Sequence, residues 1–150
     1  MAVFKYCPKC GSKDFVPDSE ISLKCGFCGC RYFINMNAAV AAIIHNENDE
    51  ILFTLRKHEP AACMLDLPGG FVDFGETAED AVRREIYEEL NLEISSIHYF
   101  GTFTNIYLFS EIEYHTLDLV FICKVKSMNR LHVADDVSGY IFKNISAVRE

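Results

Sequence analysis

The chain has 150 residues, of which half are hydrophobic and 13% are aromatic, so it is long enough for one ordinary domain with a small appendage. A formal net charge of −8 argues against a broad nucleic-acid surface, because phosphate contacts need clustered Lys and Arg side chains. No stretch approaches the ~18 consecutive apolar residues of a membrane span, and the N-terminus has no signal-peptide pattern. Together with seven cysteines, an odd number, these features predict a cytoplasmic protein with thiolate ligands rather than disulfides.

The first part of the chain carries two Cys-x-x-Cys pairs, separated by 14 residues. Each pair can place two sulfurs on one ion, so four thiolates predict a tetrahedral, structural zinc site. A redox role is the alternative, disfavoured because no helix pattern follows either pair. Cys30 is a spare cysteine at a less favourable spacing. We therefore predict a zinc ribbon over residues 1–34, with the ligands Cys7, Cys10, Cys25 and Cys28.

A zinc ribbon often binds nucleic acid, but the basic residues of this segment form no dense patch in the sequence. They are partly balanced by three acidic residues. A structural role, or a contact surface for the second domain or another subunit, is favoured over nucleic-acid binding. The basic residues are Lys5, Lys9, Lys13, Lys24 and Arg31.

The segment from Asn37 to Arg56 predicts two strands around a polar turn at residues 46–50. The first strand, from Ala38 to His45, is a continuous apolar run, as in a strand that is covered on both faces. A loop follows, and then Leu65 to Pro68 lead into a Gly-Gly corner.

A helix is predicted after this corner, with Thr77 as its N-cap. Three carboxylates at i, i+3 and i+4, those of Glu85, Glu88 and Glu89, fall on one side of it, close to the apolar stripe. A buried carboxylate needs a partner, and a hard divalent cation with oxygen ligands fits best. The helix is therefore predicted to be a magnesium platform. The alternative is a surface helix with solvated acids, which leaves the apolar flanks unexplained.

Strands are again predicted after the helix, rich in aromatic and β-branched residues. Their predicted bounds are residues 97–104, 107–113, 117–126 and 137–142. A last helix is predicted to begin at Ser146. Cys63 and Cys123 are expected in or near the core.

Residues 70–92 resemble the Nudix box of the Nudix hydrolases. Gly70, Glu76, the Arg84-Glu85 pair and the Glu88-Glu89 pair stand at the spacing of that signature, and the one departure is Asn91, where the family has Gly. Asn tolerates the left-handed conformation that ends a helix, so the turn is expected to stay intact. The resemblance covers residues 37–149, and with the ribbon it is similar to the zinc-containing NADH pyrophosphatase branch.

The resemblance implies a fold and a division of the chain. The expected fold is α/β, a Nudix-type α/β/α sandwich with a mixed sheet, preceded by the small zinc ribbon. The expected domains are the ribbon at residues 1–34 and a Nudix hydrolase domain at residues 37–150.

The resemblance also implies a metal centre. Mg²⁺ or Mn²⁺ would be held by Glu85, Glu88, Glu89 and the Gly70 carbonyl, with Arg84 fixing the carboxylates. Glu76 would orient Arg84 or hold a metal through water; alternatively, it is an acidic group favoured near a helix start. The general base is expected to be Glu85 or a water that it holds. The reserve candidates are Asp135, Asp136, Glu111 and Glu113.

Substrate-binding residues are less specified by the pattern. Arg56 is a candidate phosphate ligand or a rim salt bridge, and Phe71 is a candidate for stacking on a base. Other aromatic candidates, which strand spacing equally assigns to the core, are Phe74, Phe103 and Tyr107.

The implied activity is metal-dependent hydrolysis of a pyrophosphate bond in a nucleoside diphosphate linked to another group. NADH specificity is in doubt because the chain has no Trp and lacks the Pro-rich motif of that branch, so ADP-ribose-type substrates are at least as well supported. The alternative is a Nudix-fold sensor that binds a nucleotide without turnover. The expected partner is a small-molecule nucleotide, with no membrane, and a homodimer is left open by the dimers common in this superfamily.

Overall fold

The computed structural model describes residues 4–59, 61–109 and 112–144. Near the N-terminus, an antiparallel sheet is formed by β1 (Phe15–Ser19), β2 (Ser22–Cys25) and β3 (Arg31–Phe33), in that order. Its small core consists of Phe15, Leu23, Cys7 and Cys25. None of these residues belongs to the main core, so the N-terminal segment has a hydrophobic cluster of its own.

The two strands expected after this segment are present but join different sheets. β4 (Asn37–Ile44) is a central strand of a four-stranded sheet, whereas β5 (Ile51–Arg56) is the middle strand of a three-stranded sheet. In the part of the chain that the structure describes, the one backbone link between them is an isolated bridge from His45 to Ile51. The turn at residues 46–50 therefore carries the chain from one sheet to the other.

The Gly-Gly corner contains two short strands. β6 (Leu65–Asp66) pairs with β5, and β7 (Gly69–Phe71) pairs antiparallel with β4. A Cβ at Gly69 would lie 2.0 Å from where the Val40 carbonyl oxygen stands, and Gly69 has φ +153°. Glycine is therefore needed at this position, where the corner lies directly against β4.

The helix predicted after the corner is α1 (Ala78–Leu90). The Thr77 hydroxyl accepts a hydrogen bond from the Asp80 N–H at 3.2 Å, as expected of an N-cap. Asn91 ends the helix with φ 53° and ψ 34°, the left-handed conformation expected there. The buried face of α1 contains Ala81, Val82, Ile86, Glu89 and Leu90.

Two long strands follow the helix where the sequence predicted three shorter ones. β8 (Ile94–Phe109) and β9 (Ile112–Val125) form an antiparallel hairpin. The predicted break at residues 105 and 106 is wrong: Asn105 and Ile106 continue the ladder opposite Thr116 and His115. Asn is depleted in strands, but cross-strand pairing outweighs that weak local preference here.

The four-stranded sheet has the order β7-β4-β9-β8 and is mixed, because β4 and β9 run parallel while the other neighbours are antiparallel. This confirms the α/β class with a mixed sheet. The three-stranded sheet around β5 has the order β10-β5-β6, and β10 (Val137–Lys143) matches the last predicted strand. The helix predicted from Ser146 lies outside the described residues.

The core lies between α1 and one face of the mixed sheet. Val40, Ala42 and Ile44 of β4 point into it, together with Phe121 and Cys123 of β9. Cys123 is therefore a core residue, as expected. The same expectation is wrong for Cys63, which is exposed with φ 64° in the loop between β5 and β6.

Candidate functional site

Two carboxylates of α1 meet the Gly-Gly corner. Glu89 is 8% exposed, and its Oε2 accepts a hydrogen bond from the Gly69 N–H at 3.1 Å. The Glu85 carboxylate lies against Gly70, where a Cβ would come within 2.5 Å of its Oε1. Gly70 therefore leaves the space that the Glu85 carboxylate fills.

Burial disfavours the charged forms of both groups. It raises the pKa of Glu89 to about 8, although the Gly69 N–H opposes this shift. Burial also raises the pKa of Glu85, against the opposing effect of Arg84. A buried and a half-buried carboxylate at one corner are stabilised in their charged forms by a divalent cation, so this donor set fits a hard metal ion.

Arg84 joins the helix to the preceding loop. Its guanidinium binds both oxygens of Glu76 at 3.0 Å, and it donates to Glu85 Oε1 at 2.8 Å and to the Phe71 carbonyl at 3.1 Å. The hydrogen bonds to Glu76 are the main reason why the pKa of Arg84 is raised and that of Glu76 is lowered. Arg84 thus fixes the Glu85 rotamer and ties Glu76 to the corner.

Glu88 differs from the other two box acids. Its Oε2 accepts from Arg84 Nη1 at 3.1 Å, and 46% of the side chain is exposed. In the described part of the chain, the three carboxylates do not come within 4.8 Å of one another as a group. The structure therefore brings Glu85 and Glu89 together at the corner and leaves Glu88 on the Arg84 side.

Further acids surround the corner. Asp135 raises the pKa of both Glu85 and Glu89 through its charge, and Asp66 does so for Glu89. Among the reserve base candidates, Asp136 lines the neighbouring cleft, and Glu113 is exposed on β9 away from the cleft lining. Glu111 lies outside the described residues.

A cleft of about 450 Å³ extends from Glu89 across the mixed sheet. Arg56 stands on its wall, with Nη1 3.1 Å from Asp66 Oδ2 and Nη2 3.1 Å from the Tyr107 hydroxyl. Its Nε is buried and has no hydrogen-bond partner among the described residues. Both expectations for Arg56 are thus compatible with its place, since it forms a salt bridge and faces the cleft.

An aromatic slot of about 330 Å³ opens beside the cleft and shares Phe71 and Tyr107 with it. These two rings meet edge to face with centroids 6.3 Å apart, and Asn37 and Tyr114 complete the lining. The other two stacking candidates stand elsewhere: Phe74 is fully exposed, and Phe103 stacks on Phe100. Neither Phe74 nor Phe103 lines the cleft or the slot.

Several cleft residues lacked a role in the sequence analysis. Ala39 pairs with Phe71 on one side and with Asp118 on the other, so all three lie on one face of the sheet. Asn105 joins that face one row further along, opposite Thr116. The signal that could have found these residues is the period-2 alternation of β8 and β9, read together with their pairing to β4.

The four cysteines of the N-terminal segment converge as predicted. Their sulfurs all lie within 4.8 Å of one another, with Cys7 and Cys28 3.7 Å apart and Cys10 and Cys25 likewise 3.7 Å apart. Burial would raise the pKa of Cys7, but hydrogen bonds from the backbone of Lys9 and Cys10 contribute to lowering it to about 6. The cluster can hold a metal ion such as zinc.

Fold and site together define a class of protein. An α/β domain places a capped helix against a Gly-Gly corner, where Glu89 is buried on the Gly69 N–H, Glu85 is fixed by Arg84, and a cleft lies beside them. The NUDIX domain model matches residues 36–148, and the chain belongs to the Nudix family. Nudix hydrolases need divalent metal ions, in agreement with the donor set at the corner.

Relatives and solved structures agree with this assignment. The chain is 30% identical over 98 residues to the "NAD-capped RNA hydrolase NudC" of Vibrio parahaemolyticus, covering 65% of this chain and 37% of that protein. The chain thus matches little more than a third of that relative's length. The MutT NUDIX hydrolase of Burkholderia pseudomallei is similar in structure, with TM-score 0.63, 25% identity and coverage of 73% of this chain and 83% of that one.

A NUDIX hydrolase of Nitrosomonas europaea aligns over 95% of this chain and 79% of its own, with TM-score 0.70 and 20% identity. At that identity the likeness concerns the fold.

In the described ranges, no helix combines the length and the apolar character that crossing a membrane requires.

Proposed function

We propose that the chain hydrolyses a pyrophosphate bond in a nucleoside diphosphate linked to a second group. The observation that carries this proposal is the pair of carboxylates at the corner, the buried Glu89 and the half-buried Glu85, at the end of a cleft that also contains Arg56. A cation at the corner and a guanidinium on the wall can together neutralise two linked phosphates. The NudC relative, a hydrolase named for NAD-capped RNA, supports a dinucleotide-type substrate.

The metal ion is proposed to be Mg²⁺ or Mn²⁺, held by Glu85, Glu88, Glu89 and the Gly70 carbonyl. When bound, it would neutralise phosphate oxygens and lower the pKa of a water molecule. Glu88 must then leave Arg84, which its exposure permits without disturbing the core. Burial of Glu89 supports its place in this set, because an unpartnered buried charge is costly.

The other side chains hold the reactants in place. Arg84 keeps Glu85 oriented through the 2.8 Å hydrogen bond and is itself locked by Glu76. We propose Glu85, or a water that it holds, as the general base, since this carboxylate is fixed at the corner. Asp135 and Asp136 remain as the neighbouring alternatives.

On the substrate side, Arg56 would bind a phosphate and Phe71 would stack on a ring. Both residues line the cleft, and Phe71 also lines the aromatic slot. ADP-ribose and NADH-type dinucleotides are the proposed substrate class. Because the chain has no Trp and lacks the Pro-rich motif of the NADH pyrophosphatase branch, NADH is not favoured over ADP-ribose. The substrate panel decides between these two compounds.

Residues 1–34 are proposed to form a structural zinc ribbon, and residues 37–150 the catalytic domain. The separate cluster that Phe15 and Leu23 form with Cys7 and Cys25 supports this division. A segment with so small a core needs an ion for its stability, and a structural zinc contributes roughly 10–16 kcal/mol in small modules. A small nucleotide is the proposed partner, and a homodimer stays a prediction.

The decisive experiment incubates the chain with Mg²⁺ or Mn²⁺ and a panel of NADH, NAD⁺, ADP-ribose, diadenosine polyphosphates, FAD and nucleoside triphosphates. Products are identified by mass, with a chelator-treated sample as the control. Metal-dependent cleavage at the pyrophosphate of one class is the expected result. Tight binding of one compound without cleavage would instead support the nucleotide sensor.

A further inference from the structure

The cleft contains a carboxylate that the proposed reaction does not use. Asp118 is half-buried on β9 and lines the cleft. Within the described ranges, its carboxylate has no hydrogen-bond or ion-pair partner. A free carboxylate in a cleft for a polyanion repels the phosphates unless another part of the ligand compensates. We therefore expect Asp118 to accept hydrogen bonds from an N–H group of the ligand.

The sheet register places Asp118 on the same face of the sheet as Phe71, so both side chains can contact one ligand ring. Ala39 separates it from Phe71, and two strand spacings put the backbones of Phe71 and Asp118 about 10 Å apart. The short side chain of Ala39 leaves room above the sheet between them. A planar ring placed there has Phe71 on one side and can turn an edge towards Asp118.

Asn105 adds a donor beside this acceptor. Its Oδ1 accepts the Ile106 N–H at 2.8 Å, which leaves the amide NH₂ to donate. Asn105 pairs with Thr116 while Phe103 pairs with Asp118, so Asn105 and Asp118 are diagonal neighbours on one face. Diagonal neighbours lie about 7–8 Å apart at the backbone, so both side chains can reach adjacent atoms of one ring edge.

An acceptor next to a donor matches an amino group next to a ring nitrogen or a carbonyl. We propose that Asp118 and Asn105 recognise such an amino-bearing edge on the substrate. This inference rests on the proposed function and deepens it. Two parts of a dinucleotide carry this chemistry: adenine, with its 6-amino group beside N1, and a primary carboxamide such as that of nicotinamide. In hypoxanthine an oxo group replaces the amine and N1 carries a hydrogen, so donor and acceptor exchange places and two acceptors, the oxo group and Asp118, face each other. In nicotinic acid the carboxylate has no N–H to donate, which leaves Asp118 unpaired and adds a like charge.

The test compares substrates that differ only at the amino-bearing edge. NAD⁺ is measured against its hypoxanthine counterpart and its nicotinic acid counterpart, and ADP-ribose against its hypoxanthine counterpart. We expect kcat/KM to fall at least about tenfold for the analogue that lacks the recognised amine. A fall with hypoxanthine identifies adenine as the ring, and a fall with nicotinic acid identifies nicotinamide.

Asp118→Asn then tests the residue. The Asn amide can donate to the oxo group of hypoxanthine, so the ratio between amine and oxo substrates should shrink to within about threefold. Asp49→Asn is the matched control, because Asp49 lies in the exposed turn beyond the far end of β4 with φ 59°, a conformation that Asn also adopts. Asp49→Asn should keep the wild-type ratio.

The outcomes separate this inference from the proposed function. Equal cleavage of all analogues by the wild-type chain overturns the inference and leaves the hydrolase standing. The inference is also overturned if the wild type prefers the amine substrate and Asp118→Asn keeps that preference. Failure to cleave any substrate of the panel overturns both. Because the wild-type ratios need no variant, the test holds even where Asp118→Asn folds poorly.

Discussion

At the scale of single residues, Glu89 offers the sharpest test of the metal centre. Glu89→Gln keeps the shape of the side chain and an oxygen for the Gly69 N–H but removes the charge. Turnover with Mg²⁺ should fall at least about a hundredfold, roughly 2.7 kcal/mol of barrier. Steady-state kinetics on the best substrate of the panel measures this effect.

Without metal, the melting temperature of Glu89→Gln should be equal to or above that of the wild type, because burial raises the pKa of Glu89 to about 8 and the neutral amide carries no charge to desolvate. Glu79→Gln, on the exposed first turn of the same helix, is the matched control and should keep full turnover. Unchanged turnover in Glu89→Gln would contradict the metal-centre hypothesis.

Gly70 is a second residue whose role can be measured. Gly70→Ala places a methyl group about where Glu85 Oε1 now approaches to 2.5 Å, so the carboxylate must move away from the corner. The Mn²⁺ concentration for half-maximal activity should rise by about tenfold or more. Gly101→Ala is the control, because its Cβ meets only the Phe103 ring at 3.4 Å. An unchanged metal requirement in Gly70→Ala would argue that Glu85 is not a ligand.

At the scale of elements, the end of α1 tests the one departure from the Nudix box. Asn91→Ala forces a Cβ-bearing residue without a compensating side chain into the left-handed region and loses the 3.1 Å hydrogen bond to the Arg130 carbonyl. The free energy of unfolding should drop by about 1–2 kcal/mol. Asn91→Gly restores the family residue and should cost less, because Gly adopts this conformation freely. Urea denaturation that ranks Ala equal to Gly would contradict this explanation.

Local sequence signals predicted the elements unevenly. The helix, with Thr77 and Asn91 as its caps, was predictable because capping and periodicity act within a few residues. The hairpin of β8 and β9 was cut in the prediction because Asn105 is a poor strand former, and its pairing with Thr116 lies outside any local window.

The residues of the site were also predicted unevenly, depending on whether they are close in sequence. Glu85 and Glu89 are neighbours on one helix, so spacing alone brought them together. Asp118 and Asn105 reach the cleft only through the parallel pairing of β4 with β9 and the hairpin beyond it. Cys63 was misplaced because its apolar neighbours in the sequence do not cover it in the folded chain.

At the scale of the whole molecule, the two proposed metal sites should be separable. A Cys10→Ala, Cys28→Ala double variant removes two of the four sulfurs of the ribbon cluster, whose core shares no residue with that around α1. The ribbon should lose its zinc and its thermal transition, and proteolysis should cut within residues 4–34. Hydrolysis with Mg²⁺ by the proposed catalytic domain, residues 37–150, should persist.

The control for this prediction is Cys30→Ala, because Cys30 is not a member of the cluster. It should retain one zinc per chain by elemental analysis and keep the wild-type melting curve. A zinc-free double variant that melts at the wild-type temperature would contradict the structural role of the ion.

The alternation of β4 has a consequence for how such a chain can change over evolution. Val40, Ala42 and Ile44 support the core, while Asn37 and Ala39 face the other way, where Ala39 lines the cleft and Asn37 lines the aromatic slot beside it. Substitutions of the ligand-facing residues can change which ligands bind, while the core-facing residues maintain the stability of the fold. An insertion or deletion of one residue in β4 would exchange the two sets at once. Diversification at this strand should therefore proceed by replacement of side chains and not by changes of length.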